Sequence, residues 1–272
     1  MSRSKAKIFI FNTPHNPTGK VFTREETMQI SDILDDFPHI LTISDEVYNF
    51  LTFDGKVHTP FATVGNNWDR TISVYSGGKL LSCTGWKVGW SIGPAHLLHV
   101  GRIVAHTVFN SFNPCAQIAI ANSVDQAYDQ STKANFIEKQ IKFFRGNRDY
   151  LNKALNDMKL PWKPLKCEGG YFLMADISEC KSLIPAKYLA SHRYEEKQTV
   201  GAYELNMPDG RVPLDLAFCR WMACEKGCTM MPNSFFYEST SPYICDKYVR
   251  LAICKNPIST RTVGEKLKKT KW

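Results

Sequence analysis

A lysine placed after two glycines is the part of this sequence whose residue types and spacing could do chemistry. Lys79 follows the glycine pair and an apolar run at residues 71–75, with Ser76 before the glycines and Lys87 further along. Glycines let the backbone pass close to a ligand, and a lysine amine can form an imine with an aldehyde cofactor. Together with a hydroxyl and a second cation for an anion, the stretch suggests pyridoxal phosphate. A strand, a turn and two solvated lysines would explain the same residues.

The composition is that of a globular protein with one large domain or two unequal ones. The chain has 272 residues, of which 43% are hydrophobic and 12% aromatic, so it can bury a sizeable core and is not disordered as a whole. The net charge of +8 is scattered, apart from a small cluster at residues 266–271. A scattered excess fits small anionic ligands better than a nucleic-acid groove, so we expect no nucleic-acid partner.

The cysteines and histidines predict neither a metal site nor disulfides. The nine cysteines include Cys224 and Cys228, but no second pair completes a zinc spacing, and the histidines have no ligand spacing either. We therefore expect reduced, mostly buried thiols in a cytoplasmic or mitochondrial setting. No apolar run approaches membrane-spanning length, and we find no signal peptide.

The first hundred residues alternate between short apolar runs and polar or helical stretches. Thr23 and Glu26 are spaced as a capping box, which predicts a helix from there to about Asp35. Short apolar runs bounded by turn residues are typical of buried strands in a parallel sheet. The predicted strands are residues 8–11, 41–44, 71–75 and 88–92. The alternation predicts an α/β layer fold with a mostly parallel sheet.

Three polar clusters each follow one of these strands directly. They lie at residues 12–16, 45–48 and 76–79. In parallel sheets, ligands gather beyond the carboxyl ends of the strands. We therefore expect the three clusters to meet at one edge of the sheet and to form a site there.

The remaining chain predicts more helices and a second group of strands. Helical patterns cover residues 96–123, with an interruption at Asn113-Pro114, and 136–158, followed by a helix at 214–225 and a basic terminal helix. Strands are predicted at 169–175, near 230 and at 248–253, and a polar surface loop at 190–212. The composition shifts near residues 146–160, where we place the domain boundary, giving domains 1–150 and 151–272.

Five motifs in order resemble the class I/II aminotransferases of pyridoxal-phosphate fold type I. They are NTPHNPTGK (12–20), SDEVY (44–48), SGGK (76–79) with TGWKVGW (84–90), GGYF (169–172) and YVRL (248–251). Within that family the chain most resembles kynurenine aminotransferases, also called cysteine-S-conjugate β-lyases or glutamine–phenylpyruvate transaminases. The resemblance implies a three-layer α/β/α large domain, of which residues 1–150 are the C-terminal portion, and a smaller α+β domain at 151–272.

The resemblance also implies roles around the cofactor, pyridoxal 5'-phosphate. Lys79 would be the catalytic Schiff-base lysine, and Asp45 would pair with the pyridine nitrogen. Tyr48 and Asn16 would hydrogen-bond the phenolic oxygen, and a cis bond before Pro17 would aim Asn16 inward, where it also meets the substrate. For Asp45 alone, a helix N-cap after a strand would serve as well, and the 12–20 motif could be an ordinary proline-rich turn.

Anion binding is the role that the resemblance gives to three further residues. Ser76 and Lys87 would hold the phosphate, and Arg250 would hold the substrate α-carboxylate with a two-pronged contact that lysine cannot reproduce. Considered singly, Lys87 could be a solvated surface residue and Arg250 a surface strand arginine.

The implied activity is transfer of the amino group of an L-amino acid of the kynurenine, glutamine or aromatic type, leaving its 2-oxo acid, with β-lyase side activity. Family chains carry roughly a third more sequence ahead of the first motif, so the length suggests a fragment. The missing part would supply a phosphate cap and the aromatic residue that stacks on the pyridine. We expect a homodimer or a complementing N-terminal fragment as partner. The alternative is an inactive aminotransferase-derived fragment or a structural subunit of a larger assembly.

Overall fold

The computed structural model describes residues 5–109, 111–129, 135–190, 207, 209–238 and 241–269. The chain divides into two compact units. The first runs to Phe143 and includes Glu168–Gly170, and the second comprises Phe144–Cys167 and the chain from Tyr171 onward. The assignment of residues 1–150 to the end of a larger domain stays a prediction.

The first unit is built on a four-stranded sheet. Its strands are β1 (Ile8–Asn12), β2 (Leu41–Asp45), β3 (Thr71–Ser76) and β4 (Gly89–Ile92), in the order β1-β2-β3-β4. The first three are parallel, which confirms the predicted mostly parallel α/β sheet, whereas β4 runs antiparallel to β3. Residues 77–88 are too few for the crossover that a parallel return requires, so β4 folds back beside β3.

One face of this sheet carries the core of the first unit. Helix α1 (Arg24–Asp35) begins at the predicted capping box: the Thr23 hydroxyl accepts from the Glu26 amide, and the Glu26 carboxylate accepts from the Thr23 amide. The helix packs on this face through buried side chains. The buried cluster consists of Phe11, Leu34, Ile40 and Phe61.

The opposite face of β1 and β2 is much more exposed. Ile8 and Ile10 are 56% and 67% exposed, and they pair in register with Leu41 and Ile43. Side chains alternate between faces along a strand, so Asn12 and Asp45, the next pair in register, lie on this second face. Asp45, the predicted site residue on β2, and its neighbour Asn12 on β1 are therefore on the face opposite the aromatic core.

A short helix lies between β3 and β4, and two longer helices follow β4 in the first unit. Helix α2 (Gly77–Leu80) is a single helical turn where the sequence predicts a tight turn, and α3 (Ala95–Phe109) and α4 (Pro114–Tyr128) replace one interrupted helical region. Asn113 separates them, because its side chain caps the Ala116 amide and Pro114 opens α4. Helix α5 (Phe136–Asn156) begins in this unit and ends in the next.

The second unit combines a small antiparallel sheet with helices, as expected of an α+β domain. The strands β5 (Lys163–Pro164), β6 (Phe172–Asp176), β7 (Met231–Pro232) and β8 (Tyr248–Ala252) lie in the order β5-β6-β8-β7. The helices are α6 (Ala186–Leu189), α7 (Leu214–Lys226) and α8 (Pro257–Lys269). Most of the loop predicted at 190–212 lies outside the described residues. Within the described ranges, no helix is long and apolar enough to cross a membrane.

Candidate functional site

The carboxyl ends of β1 and β2 are tied together by one asparagine. The side-chain nitrogen of Asn12, Nδ2, donates to the Asp45 carbonyl oxygen at 2.9 Å. Its side-chain oxygen, Oδ1, accepts from the backbone amide of Asn16 at 2.7 Å. The Thr13 amide also donates to the Asp45 carbonyl, at 3.2 Å. The cis bond expected before Pro17 is present, and Thr13-Pro14 is cis as well. Asn12 thus fixes Asn16 beside Asp45, a positioning role that sequence reasoning missed.

Asp45 is a half-buried carboxylate with both acidic and basic side chains near it. Burial raises the pKa of this carboxyl group above its ordinary value, and the neighbouring Glu46 raises it further, while the Val47 amide and the His15 and Lys79 side chains act in the opposite direction. One of its oxygens accepts from the Val47 amide at 3.3 Å, in a turn with no helix after it. The helix N-cap alternative for Asp45 is therefore wrong. His15 shows the same coupling, since burial lowers its pKa and Asp45 raises it.

Lys79 lies over the ring of Tyr48. The distance from Nζ to the ring centre is 5.8 Å, and the Tyr48 side chain is buried. Lys79 belongs to α2, and its amide donates to the Ser76 hydroxyl oxygen at 3.3 Å. This bond leaves the hydroxyl proton of Ser76 available for another acceptor. The structure therefore brings Lys79, Tyr48 and Asp45 together at one end of the sheet.

The two glycines before Lys79 are required by close packing. A Cβ atom at Gly78 would lie 2.9 Å from the Thr84 Cα atom, and one at Gly77 would lie 2.7 Å from Cγ2 of Ile120. Both distances are too short for a side chain. With no side chain at either position, α2 can pack closely on Thr84 and Ile120 directly after the end of β3.

Lys87 lies in the segment that returns from α2 to the sheet. Its φ of 57° is in the left-handed region, which is uncommon for a residue other than glycine. The Gly77 amide donates to the carbonyl of Val88 at 3.1 Å, and Ser76 pairs with Gly89. This pairing holds the exposed Lys87 near Ser76. Unusual backbone conformations concentrate at functional sites, where the surrounding structure maintains them.

The GGYF motif contributes its glycines to the first unit. A Cβ atom at Gly169 would lie 2.7 Å from the Leu51 carbonyl oxygen, and Gly170 has a φ of +76°. The Gly169 amide donates to the Gly19 carbonyl at 3.0 Å, and the Gly170 amide to the Leu51 carbonyl at 3.0 Å. These residues therefore pack closely on the Tyr48 side of the site, where larger side chains would not fit.

A buried carboxylate beneath the site was not predicted. Glu46 is fully buried, and its two oxygens receive hydrogen bonds from side chains of β2, of β3 and of the loop between them. Burial opposes ionisation, but the contacts from His58 and Tyr75 outweigh it, and the pKa of Glu46 is lowered. Four of its five partners lie 12 or more residues away in sequence, so no local pattern indicated this network.

Arg250 belongs to β8 of the second unit. Its guanidinium carbon lies 3.9 Å from the ring centre of Phe172 and 5.0 Å from that of Phe236. Nη2 lies 2.7 Å from Sδ of Met231. Aromatic rings at these distances attract a planar guanidinium cation and restrict its orientation. The half-buried guanidinium is thus held by its neighbours instead of extending freely into solvent.

The residues at the sheet end supply the kinds of group that pyridoxal phosphate needs. Lys79 offers an amine, Asp45 a carboxylate of raised pKa, and Tyr48 an aromatic hydroxyl group. Ser76 and Lys87 offer a hydroxyl group and a cation beside backbone that glycines keep open. Among the described residues, no group of three or more His, Cys, Asp or Glu side chains could hold a metal ion.

Comparisons with known proteins agree with this chemistry. The sequence matches the family Aminotransferase class I and II over residues 1–257. It is 37% identical to kynurenine–oxoglutarate transaminase 3 of Mus musculus, over 97% of this chain and 53% of that protein. It is 32% identical to kynurenine–oxoglutarate transaminase 1 of Homo sapiens, over 98% of this chain and 58% of that protein.

Solved structures show the same likeness. The crystal structure of Bna3p from Saccharomyces cerevisiae matches with a TM-score of 0.81 and 28% identity, over 98% of this chain and 57% of that one. N-succinyldiaminopimelate aminotransferase from Mycobacterium tuberculosis matches with a TM-score of 0.76 and 26% identity, over 98% and 59%.

The chain belongs to the class I and II aminotransferase family, whose members depend on pyridoxal phosphate. Its sequence is similar to those of kynurenine–oxoglutarate transaminases across nearly its whole length. The chain spans somewhat more than half of the length of the curated relatives that it matches.

Proposed function

We propose that this chain carries the lysine-bearing part of a pyridoxal-phosphate-dependent aminotransferase, with Lys79 as the lysine that binds the cofactor covalently. The observation that supports the proposal most strongly is the meeting of Lys79, Asp45 and Tyr48 at one end of the sheet. Pyridoxal phosphate, when bound, supplies an electron sink for the carbanion formed at the substrate Cα.

Asp45 is the group that would hold a proton on the pyridine nitrogen. A carboxylate in a half-buried site interacts with a ring cation more strongly than one in water. In its ionised form, Asp45 would accept a charge-assisted hydrogen bond from the protonated nitrogen and so stabilise the ring cation. Asn12 fixes the backbone of Asp45 and thereby the direction of the carboxylate.

Lys79 would carry the substrate proton once its amine is released. Its Nζ atom lies over a buried aromatic ring, where water has limited access. The Tyr48 hydroxyl group and the Asn16 amide would donate to the phenolic oxygen of the cofactor, and Asn16 would also contact the substrate. Asn16 is on the segment that Asn12 ties to Asp45, and Tyr48 is in the turn that follows Asp45.

Two anion sites complete the proposed chemistry. Ser76 and Lys87 would bind the phosphate, one through a hydroxyl proton and the other through charge. Arg250 would bind the α-carboxylate of the amino acid with two parallel N–H donors. Its stacking between aromatic rings limits the motion of the guanidinium before substrate arrives.

We propose the substrate class that the family resemblance implies, and the names of the kynurenine–oxoglutarate transaminases support kynurenine within it. The proposed amino donors are L-amino acids of the kynurenine, glutamine or aromatic type, each leaving its 2-oxo acid, with β-lyase activity on cysteine S-conjugates as a side reaction. We propose a cytoplasmic or mitochondrial protein that functions as a homodimer or with a complementing N-terminal fragment. The exposed apolar face of β1 and β2 supports such a partner, because large apolar patches mark interaction sites.

A visible absorbance scan tests the cofactor role of Lys79. Pyridoxal phosphate added to the unsubstituted protein should give the band of a lysine-bound cofactor, and Lys79→Ala should abolish it. Lys153→Ala, at an exposed lysine of α5, is the matched control and should keep the band. A band that survives in Lys79→Ala contradicts the assignment. The absence of a band in the unsubstituted protein would favour the structural-subunit alternative for this chain.

Substitution of Arg250 tests the carboxylate role. Arg250→Ala should weaken the apparent affinity for L-phenylalanine about 100-fold, and Arg250→Lys about tenfold, because lysine keeps the charge but not the paired donors. The cofactor band should be unchanged in both variants. Equal affinities in all three proteins, measured by spectral titration, would refute the role.

A further inference from the structure

We propose that Glu46 is a positioning residue for the cofactor site: its buried carboxylate clamps the carboxyl end of β3 to that of β2, and so sets the spacing between Asp45 and the Ser76–Lys79 turn. The inference rests on the proposed function, and it is argued from hydrogen bonds within the first unit. Sequence reasoning gave Glu46 no role.

The carboxylate of Glu46 accepts five hydrogen bonds and is fully buried. Its Oε1 atom accepts from two hydroxyl groups and one backbone amide, and its Oε2 atom contacts an imidazole and a phenol. The donors to Oε1 are Ser44 at 2.8 Å, Ser73 at 3.1 Å and the Phe61 amide at 3.2 Å. The contacts of Oε2 are His58 Nε2 at 3.1 Å and the Tyr75 hydroxyl at 2.8 Å.

These contacts join the two strands that carry the site. Ser73 and Tyr75 flank Val74 on β3, and Val74 pairs with Asp45 on β2. The Glu46 amide also donates to the Val74 carbonyl at 3.0 Å. Both the backbone and the side chain of Glu46 therefore hold residues 73–75 of β3, immediately before Ser76, where the strand ends.

Asp45 and Glu46 are consecutive, so their side chains leave the chain in opposite directions. Asp45 lies on the sheet face of the proposed cofactor, and Glu46 faces the buried side, where Phe61 packs. A shift of the Glu46 carboxylate would move Tyr75 and Ser76 relative to Asp45 without touching the ligand. This is the geometry of a group that acts through its neighbours.

The five contacts favour an ionised acceptor. A carboxylate has about four lone-pair positions and no proton to place, so it suits a site surrounded by donors. An amide of the same shape keeps only one oxygen, so the groups on its nitrogen side would have to accept from its N–H groups instead of donating, and hydrogen bonds to a charged group would become weaker neutral ones. Glu46→Gln therefore loosens the clamp while it keeps the side-chain volume.

Hydrogen exchange of the cofactor-free chain is the first test. Glu46→Gln should raise the exchange of peptides containing Asp45 and Ser76 about tenfold and leave α1 unchanged, because the clamp acts locally. Leu34→Ala is the control, since it opens a cavity in the core on the same face and should speed exchange in α1. If the two variants give the same pattern, or if neither strand end changes in Glu46→Gln, the clamp is refuted.

Cofactor titration is the second test and separates positioning from stability. Glu46→Gln should weaken pyridoxal phosphate binding about tenfold and shift the pH at which the visible band changes, whereas Leu34→Ala should bind normally once folded. Glu46→Asp retains the carboxylate and should recover part of the affinity. If the unsubstituted chain shows no band, the proposed function fails, and the exchange result still decides whether Glu46 sets the strand spacing.

Discussion

Glu46 in the first unit and Asp215 in the second are both fully buried carboxyl groups, and their pKa values are shifted in opposite directions. Glu46 in the first unit has a lowered pKa, whereas burial raises the pKa of Asp215 in the second unit to about 6. Asp215 lies in the first turn of α7, and its oxygens accept from the Leu216 amide and from the amide and hydroxyl group of Ser234. Both side chains are equally hidden from water. Burial alone therefore does not decide the charge of a carboxyl group.

The donors and the neighbouring charges explain the difference. Glu46 receives five hydrogen bonds, including those from an imidazole and a phenol. Asp215 receives three, and the nearby Asp246 raises its pKa further. Arg211 could compensate, but it pairs with Asp246 at 2.6 Å. The carboxylate beneath the proposed site is thus stabilised as an anion, whereas the one at the start of α7 is close to neutral at mildly acidic pH.

The two groups give stability opposite pH dependences. The folded-state pKa of Glu46 is lowered, so its contribution is present above the ordinary glutamate pKa and is lost as pH falls through the folded value. The folded-state pKa of Asp215 is raised from 3.8 to about 6, so folding retains a proton there and stability declines as pH rises through that window.

The largest expected effect comes from removing each carboxylate outright. Glu46→Ala should lower the free energy of unfolding by about 4 kcal/mol, because several buried donors lose their acceptor. Asp215→Ala should cost only about 2 kcal/mol at pH 7, because fewer donors are left unpaired and a costly charge is removed. Urea unfolding at pH 7 measures both values. A larger loss for Asp215→Ala would overturn the contrast between the two sites.

An intermediate effect is expected for Asp215→Asn, which removes the ionisable proton. Between pH 4 and pH 6, ionisation of Asp215 should lower the free energy of unfolding of the unsubstituted protein by up to about 3 kcal/mol. The variant should show no such decrease from this position. At pH 5 the variant should be the less stable protein, because its amide cannot satisfy every donor; by pH 8 the gap should close. The same difference in unfolding free energy between the two proteins at pH 5 and at pH 8 would contradict the raised pKa of Asp215.

The smallest effect is expected when one hydroxyl donor is removed from each carboxylate. Tyr75→Phe and Ser234→Ala should each cost about 1 kcal/mol of unfolding free energy, the usual contribution of one hydrogen bond. Tyr75→Phe should also weaken cofactor binding, because Tyr75 adjoins Ser76, whereas Ser234→Ala should not. Melting curves and cofactor titration of both variants distinguish the two units. Identical cofactor affinities in the two variants would argue against coupling between Glu46 and the site.

Local patterns sufficed for much of the fold. The capping box at Thr23 and Glu26 correctly marked α1, because its hydrogen bonds join residues three apart. Short apolar runs gave the strands, and their parallel order placed Asp45 and the Ser76–Lys79 turn at one edge. The antiparallel direction of β4 and the short helix α2 depend on how the chain returns to the sheet, which no local pattern records.

The residues of the site also fall into those that local patterns indicate and those whose roles depend on the folded chain. Its motif residues were found from the sequence because they are close together in short strings, such as SGGK and SDEVY, that resemble family motifs. Asn12 and Glu46 belong to those strings or adjoin them, yet their roles went unnoticed. Each acts through contacts made across strands: Asn12 with the Asp45 carbonyl, and Glu46 with partners as far away as Tyr75.

The sequence by itself determined the alternation of strands and helices, the family, and the residue types able to bind pyridoxal phosphate, because these depend on spacing along the chain. Only the tertiary structure decided which carboxylates are ionised. Charge in a buried group depends on the donors and charges that surround it in space, as Glu46 and Asp215 show. Those neighbours come from separate strands, helices and loops, and they meet only when the chain folds.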